Sequence, residues 1–195
     1  MARGGRAAKR KGDAREREFA RILSRHLVSL KAVRIPGSGG FSHRGGGEDP
    51  AFGGDVQVRR QRDNSTVARI EVKCRDAQKQ RGVITIAAMN RWRPNIGRFP
   101  HSGILACRQD RGTWLCSVWD GTWDSLCEMA GEEPYVSCVH QNARGVALTE
   151  VQAVSIARGD PWILWEGAAY GSVAQLAELL EAAEGEAGKE NRHEQ

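Results

Sequence analysis

The sequence predicts an α/β chain, a sheet with helices packed on it, from three observations. Phe19, Leu23 and Leu27 recur at i, i+4 and i+8, with Ile22 and Leu30 widening the apolar stripe of a first helix. Ile70-Glu71-Val72-Lys73-Cys74 alternates at strand spacing, and Asn64-Ser65 marks a chain reversal before it. Gly103–Cys107 and Trp114–Val118 are apolar runs separated by Gln109-Asp110-Arg111-Gly112, which has the chemistry of a turn between paired strands.

The elements follow in order. Residues 1–11 are small, basic and aperiodic, so residues 1–12 are expected to form a flexible basic arm able to lie along phosphates. The first helix is expected from near Asp13 to about Leu30, with Glu16 on its inward stripe, where a charge needs a reason. A strand over Ala32–Ile35 leads into Pro36-Gly37-Ser38-Gly39-Gly40, and Phe41–Gly54 reads as a mobile glycine-rich loop. A hairpin spans Asp55–Arg60 and Val67–Cys74. Residues 83–92 fit either a helix or a strand that becomes one, and periodicity does not decide between them. After the second strand pair, a helix is expected over Asp120–Met129.

Beyond Gly131 the chain turns acidic. Pro161–Trp165 reads as a strand, and Gly171-Ser172 opens a helix to about Ala183. Residues 131–184 are thus expected to form an α+β extension packed on a 13–130 domain, with 185–195 a disordered tail.

Composition narrows the function. No apolar run approaches the roughly 18 residues of a membrane span, and no apolar segment follows the basic N-terminus, so neither membrane insertion nor secretion is expected. Cys74, Cys107, Cys116, Cys127 and Cys138 lack zinc-ligand spacing and suit small core residues in a reducing compartment. Charge is divided unevenly. Residues 1–34 carry 11 Lys+Arg against 3 acids, 35–111 carry 14 against 7, and 112–195 carry 4 against 14. Concentrating cations in the part that holds the candidate site points to nucleic acid as partner.

The hairpin would set Asp55 beside Glu71, with Lys73 on the same face as Glu71. Buried charges must pair or hold a metal. Two hard oxygen ligands and a lysine suit Mg²⁺ and a water attacking a phosphodiester. Blander readings stand beside this one. Glu71 and Lys73 could be the solvated face of a half-buried strand, Asp13-x-x-Glu16 a helix-capping arrangement, and Ser38 a turn residue. Glu18 either replaces Glu16 or faces solvent.

Taken in order, Lys11-Gly12, Glu16-Arg17-Glu18-Phe19, Arg34-Ile35-Pro36-Gly37-Ser38-Gly39, Gly54-Asp55-Val56 and Glu71-Val72-Lys73 resemble an archaeal-type Holliday junction resolvase, a family with similar proteins in phages, over roughly residues 9–120. The resemblance implies the PD-(D/E)XK superfamily and its restriction-endonuclease-like α-β-β-β-α-β core. It implies Mg²⁺, replaceable by Mn²⁺, held by Asp55, Glu71, the Val72 carbonyl and Glu16. Lys73 would position and help deprotonate the attacking water and stabilise charge on the phosphorane-like transition state, and Ser38 would contact the scissile phosphate or a metal-bound water.

The substrate implied is branched or duplex DNA, cut by a homodimer in the cytoplasm, at the nucleoid or in a phage-infected host. Arg10, Lys11, Arg15, Arg34, Ser38, Arg75, Arg91 and Arg93 would contact DNA, with Arg91-Trp92-Arg93 open to a core reading as well. Helix 120–129 or the second strand pair would supply the dimer patch. Two departures are visible: sixteen residues separate Ser38 from Asp55, and Gly54 replaces the usual proline. Other nucleases of the superfamily (restriction, repair, mobile-element) fit the same residues. A non-catalytic DNA-binding or packaging protein is the alternative from another class.

Overall fold

The computed structural model describes residues 3–36, 54–75, 89, 103–109, 112–131, 134, 136–138, 161–165 and 167–193. In chain order the elements are α1 (Arg3–Ser24), β1 (Leu30–Arg34), β2 (Val56–Arg60), β3 (Thr66–Arg75), β4 (Ile104–Gln109), β5 (Leu115–Trp119), α2 (Asp120–Ala130), β6 (Val136–Cys138), β7 (Trp162–Trp165), β8 (Ala168–Gly171) and α3 (Val173–His193). The strands make one mixed sheet of eight, in the order β1-β2-β3-β4-β5-β8-β7-β6. Neighbours run antiparallel except β3 with β4 and β6 with β7. The parallel pair β3–β4 requires a crossover of a dozen or more residues, and the intervening stretch 76–103 has the length for one.

Strand alternation sorts the two faces of this sheet. Val56, Val58, Ile70, Val72, Ile104 and Val118 point to one side, where they share an apolar cluster with Phe19 and Leu23 of α1, Trp123 of α2 and Leu176 of α3. All three helices therefore lie over the same face. The alternate residues Leu105, Cys107, Ser117 and Tyr170 are buried as well, as is Met89, so the central strands are covered on both faces. The protein is α/β, with a mixed sheet flanked by helices. Among the described residues, no helix is long and apolar enough to cross a membrane.

The two hairpins and the helix after the second one stand where sequence pattern puts them. Boundaries elsewhere differ. The first helix begins at Arg3 and not near Asp13, because Arg6-Ala7-Ala8-Lys9-Arg10-Lys11 are strong helix formers that extend a helix already anchored by Phe19 and Leu23; the expected flexible arm is helical from Arg3. It ends at Ser24, where the Ser24 hydroxyl accepts the Ala32 amide at 3.1 Å. Leu27 and Leu30 still reach the core, but from a turn and from β1. At the other end α3 runs through the expected tail to His193 over an alanine- and glutamate-rich stretch.

Strands β6 and β8 were not legible in the sequence. β8 pairs with β5, so the C-terminal segment continues the same sheet and core and is no appendage to them. The second strand pair, expected as a possible dimer patch, is enclosed instead: β3 and β8 occupy its two edges. Ser38, the loop 41–53, Arg91 and Arg93 lie outside the described residues, as does 83–92 apart from Met89.

Two acids of α3 hold the far ends of the chain together. The Glu181 carboxylate accepts the Val28, Ser29 and Leu30 amides at 2.6, 3.0 and 3.1 Å and the Ser29 hydroxyl at 2.6 Å. Buried Glu184 accepts Arg60 at 2.7 Å and Arg62 at 3.2 Å. Burial works to raise the Glu181 pKa, but the Ser29 hydroxyl and the three amides outweigh it and hold the carboxyl below its ordinary value. Its contribution is therefore present above the ordinary glutamate range and lost as pH falls through the lowered value. Glu181→Ala should cost about 1–2 kcal/mol at pH 7 in urea denaturation, and progressively less as the pH is taken down through that value.

Candidate active site

The site is built from the backbone outward. Pairing of Val56 with Ile70 brings Asp55 opposite Glu71 one step along the hairpin. The Asp55 amide donates to the Ile70 carbonyl at 3.0 Å, and its carbonyl accepts the Ile35 amide at 2.9 Å, so β1 and β3 hold its main chain from both sides. Its side chain is held too: Asp55 Oδ2 accepts the Val72 amide at 2.9 Å, and the residue is 8% exposed.

The chain enters β2 through Gly54 at φ +75°, a left-handed conformation. A Cβ there would stand 3.3 Å from Arg69 Cβ and from the Ile70 backbone. Proline, whose ring fixes φ near −65°, cannot take this place, which gives the departure from the usual motif a physical reason.

Glu71 and Lys73 share one face of β3 and form an ion pair. Glu16 of α1 accepts Arg34 Nε at 2.7 Å, and the same guanidinium reaches Asp13 one turn earlier. Burial raises the Glu71 pKa first, the charge of Asp55 adds to this, and Glu16 contributes further; Lys73 pulls the other way. Burial likewise raises Glu16, with Arg34 opposing and Asp55 reinforcing. The three carboxylates thus lie within one another's fields. Burial alone would lower the Lys73 pKa, but Glu71 and Asp55 reverse this and raise it, so the ammonium is held protonated.

A second ion cluster lies further along α1. Arg108 of β4 grips Glu18 through both terminal nitrogens at 2.8 Å, Arg15 reaches the same carboxylate at 3.0 Å, and Arg108 stacks over Trp114 at 4.8 Å. Glu18 is therefore half-buried and ion-paired, neither solvent-facing nor a substitute for Glu16.

Sequence reasoning named Glu16, Asp55, Glu71 and Lys73, and all four converge. Two arginines expected on DNA are turned inward instead: Arg34 to Asp13 and Glu16, Arg15 to Glu18. Arg10 and Lys11 are exposed on α1, and Arg75 ends β3. Arg108 went unnamed; its signal was a charge closing the apolar run Ile-Leu-Ala-Cys.

Among the described residues, no three of His, Cys, Asp and Glu already form a metal cage. Each carboxylate is instead held by a nitrogen: Glu16 by Arg34, Asp55 by Val72 and Glu71 by Lys73. Buried Asp55 with half-buried Glu16 and Glu71 nevertheless makes a mutually repelling donor set that suits a hard divalent cation, and these are the residues that could hold one. No protein-family model matches the chain, and neither does any curated protein or solved structure.

Two substitutions probe the geometry. Gly54→Ala should cost about 1–2 kcal/mol in chemical denaturation, the strain of a left-handed residue with a Cβ. Glu71→Gln should stabilise the protein in EDTA at pH 8 by about 0.5–2 kcal/mol, the usual return when a strained functional charge is removed. Because the folded pKa of Glu71 is raised, its penalty sets in as pH climbs through that value, so the gain should fade toward pH 4. A loss of stability would instead make the Glu71–Lys73 pair structural.

Proposed function

We propose that this chain is a Mg²⁺-dependent endonuclease that hydrolyses phosphodiester bonds in branched DNA, similar to a Holliday junction resolvase with a PD-(D/E)XK site. The observation that carries the reading is Asp55 opposite Glu71, with protonated Lys73 and the Glu16 charge beside them, in the strongly basic half of the chain. The order α1-β1-β2-β3, with β4 parallel to β3, supports this reading as far as the described elements go; the stretch between β3 and β4, where the resemblance implies a second helix, lies outside the described residues apart from Met89.

Asp55, Glu71, Glu16 and the Val72 carbonyl would hold Mg²⁺, or Mn²⁺ in its place. The ion would polarise the phosphodiester and make a bound water acidic enough to attack. The protein's own groups do the rest. The Val72 amide fixes the Asp55 carboxylate, and Arg34 fixes Glu16. Lys73, as a cation, stabilises the negative charge that grows on the phosphoryl oxygens. Water adds across the P–O bond, its oxygen going to phosphorus and a proton to the departing sugar oxygen. Ser38 is assigned to the scissile phosphate by resemblance alone. A homodimer would place two such sites on opposite strands of a junction, reading shape and backbone more than base sequence.

A second reading also has an observation behind it. Glu16 with Arg34 and Glu71 with Lys73 are already neutralised pairs, as expected of a protein that binds or packages DNA without cutting it.

A synthetic four-way junction and a matched linear duplex, each with Mg²⁺ and with EDTA, separate these. Paired Mg²⁺-dependent nicks in the junction, reduced at least a thousandfold in Asp55→Asn, are the expected result. Equal cutting of both substrates would point to another nuclease of the superfamily. Tight binding without cutting in any divalent metal would leave the architectural protein.

A further inference from the structure

The sheet face that carries Glu71 and Lys73 continues away from the site as a row of cations. On β3, Arg69, Glu71 and Lys73 alternate on one side, while Ala68, Ile70 and Val72 enter the helix-covered core. Arg69 pairs across the hairpin with Gln57, and Arg59 lies beyond it on the same face of β2. Arg59 in turn pairs with Lys31 of β1, the outermost strand of the sheet at this end.

Three features of this row call for a ligand. Lys31 directly opposite Arg59 is a like-charge cross-strand pair, which a sheet tolerates at a cost. Among the described residues, no carboxylate forms an ion pair with Lys31, Arg59 or Arg69. The Arg69 Nε is buried and has no hydrogen-bond partner among the described residues. Meanwhile buried Gln57 holds the Arg59 guanidinium in place through two hydrogen bonds, at 3.1 and 2.8 Å. A guanidinium so held loses little freedom on meeting an anion. Five other arginines, Arg15, Arg34, Arg60, Arg62 and Arg108, each have a carboxylate partner.

We propose that Lys31, Arg59 and Arg69 form a track for the DNA strand that runs from the scissile phosphate across β3, β2 and β1, gripping its backbone on one side of the cut. Arg69 stands next to both the Gly54 turn and Glu71, so the track meets the site without a gap. The inference rests on the nuclease reading for the identity of the polyanion. None of these three residues stands out in the sequence, because solvated strand positions are often basic.

The test is fluorescence anisotropy of the full chain on labelled duplex and four-way junction, in EDTA, across a NaCl series. Each lost phosphate contact should flatten the slope of log K against log[NaCl] by about 0.9, so Lys31→Gln/Arg59→Gln/Arg69→Gln should lose about 2.7 and bind at least tenfold more weakly at 0.1 M salt. Lys31→Gln/Arg69→Gln, which leaves the Gln57–Arg59 contact intact, should lose about 1.8, and Arg69→Lys should keep its contact. Thermal midpoints at or above that of the parent chain confirm that the variants fold.

An unchanged slope in folded variants would overturn the track. If the parent chain still cuts DNA with Mg²⁺, the nuclease reading survives that failure. A flattened slope in a chain that never cuts would support the track and end the nuclease reading.

Discussion

The amide of Val72 bonded to the carboxylate of Asp55 is the contact on which the rest of the polar end depends. It fixes an acid at the mouth of a hairpin whose next residue across is another acid. Everything around it answers the resulting repulsion: Lys73 turns to Glu71, Arg34 to Glu16 and Asp13, and α1 lies where these pairs can form. Such a cluster is costly in a fold that only needs to be stable, and useful where the charge is met by a bound cation. Gly54 eases the arrangement, since its left-handed turn against Ile70 would strain any residue with a side chain.

The sheet explains why this end is firm. The helices cover one face with Phe19, Leu23, Trp123 and Leu176, and the central strands are buried on the other face as well. Glu71 on β3 and Glu16 on α1 are held in such a body and cannot relax away from their neighbours, so burial and the nearby Asp55 charge raise the pKa of each.

Much of this was legible in sequence because it was local. Alternation at Ile70–Cys74, the reversal at Asn64-Ser65 and the offset between Asp55 and Glu71 all follow from strand period and turn chemistry, and the hairpin keeps them. What was missed depended on distant partners. Arg34 read as a DNA contact because nothing nearby in sequence shows that α1 brings Glu16 and Asp13 to it, whereas the Arg15–Glu18 pair is an i,i+3 contact within α1. Strand β8, only four residues long and alanine-rich, takes its identity from β5 and β7 on either side. Helix boundaries moved for the same reason: Leu27 and Leu30 keep helical spacing, yet the Ser24 and Glu181 contacts end the helix before them.

The clasp from α3 has a consequence for synthesis. Val28 meets Glu181 across 153 positions of chain. At roughly 5–20 residues per second, the turn before β1 waits about 8–30 s for its partner to be made. Arg34, Asp13, Glu16 and the hairpin acids all precede α3, so the acidic cluster has its partners long before the clasp can close. On a nascent chain the polar end is complete in sequence while the turn before β1 still lacks the carboxylate that ties it down.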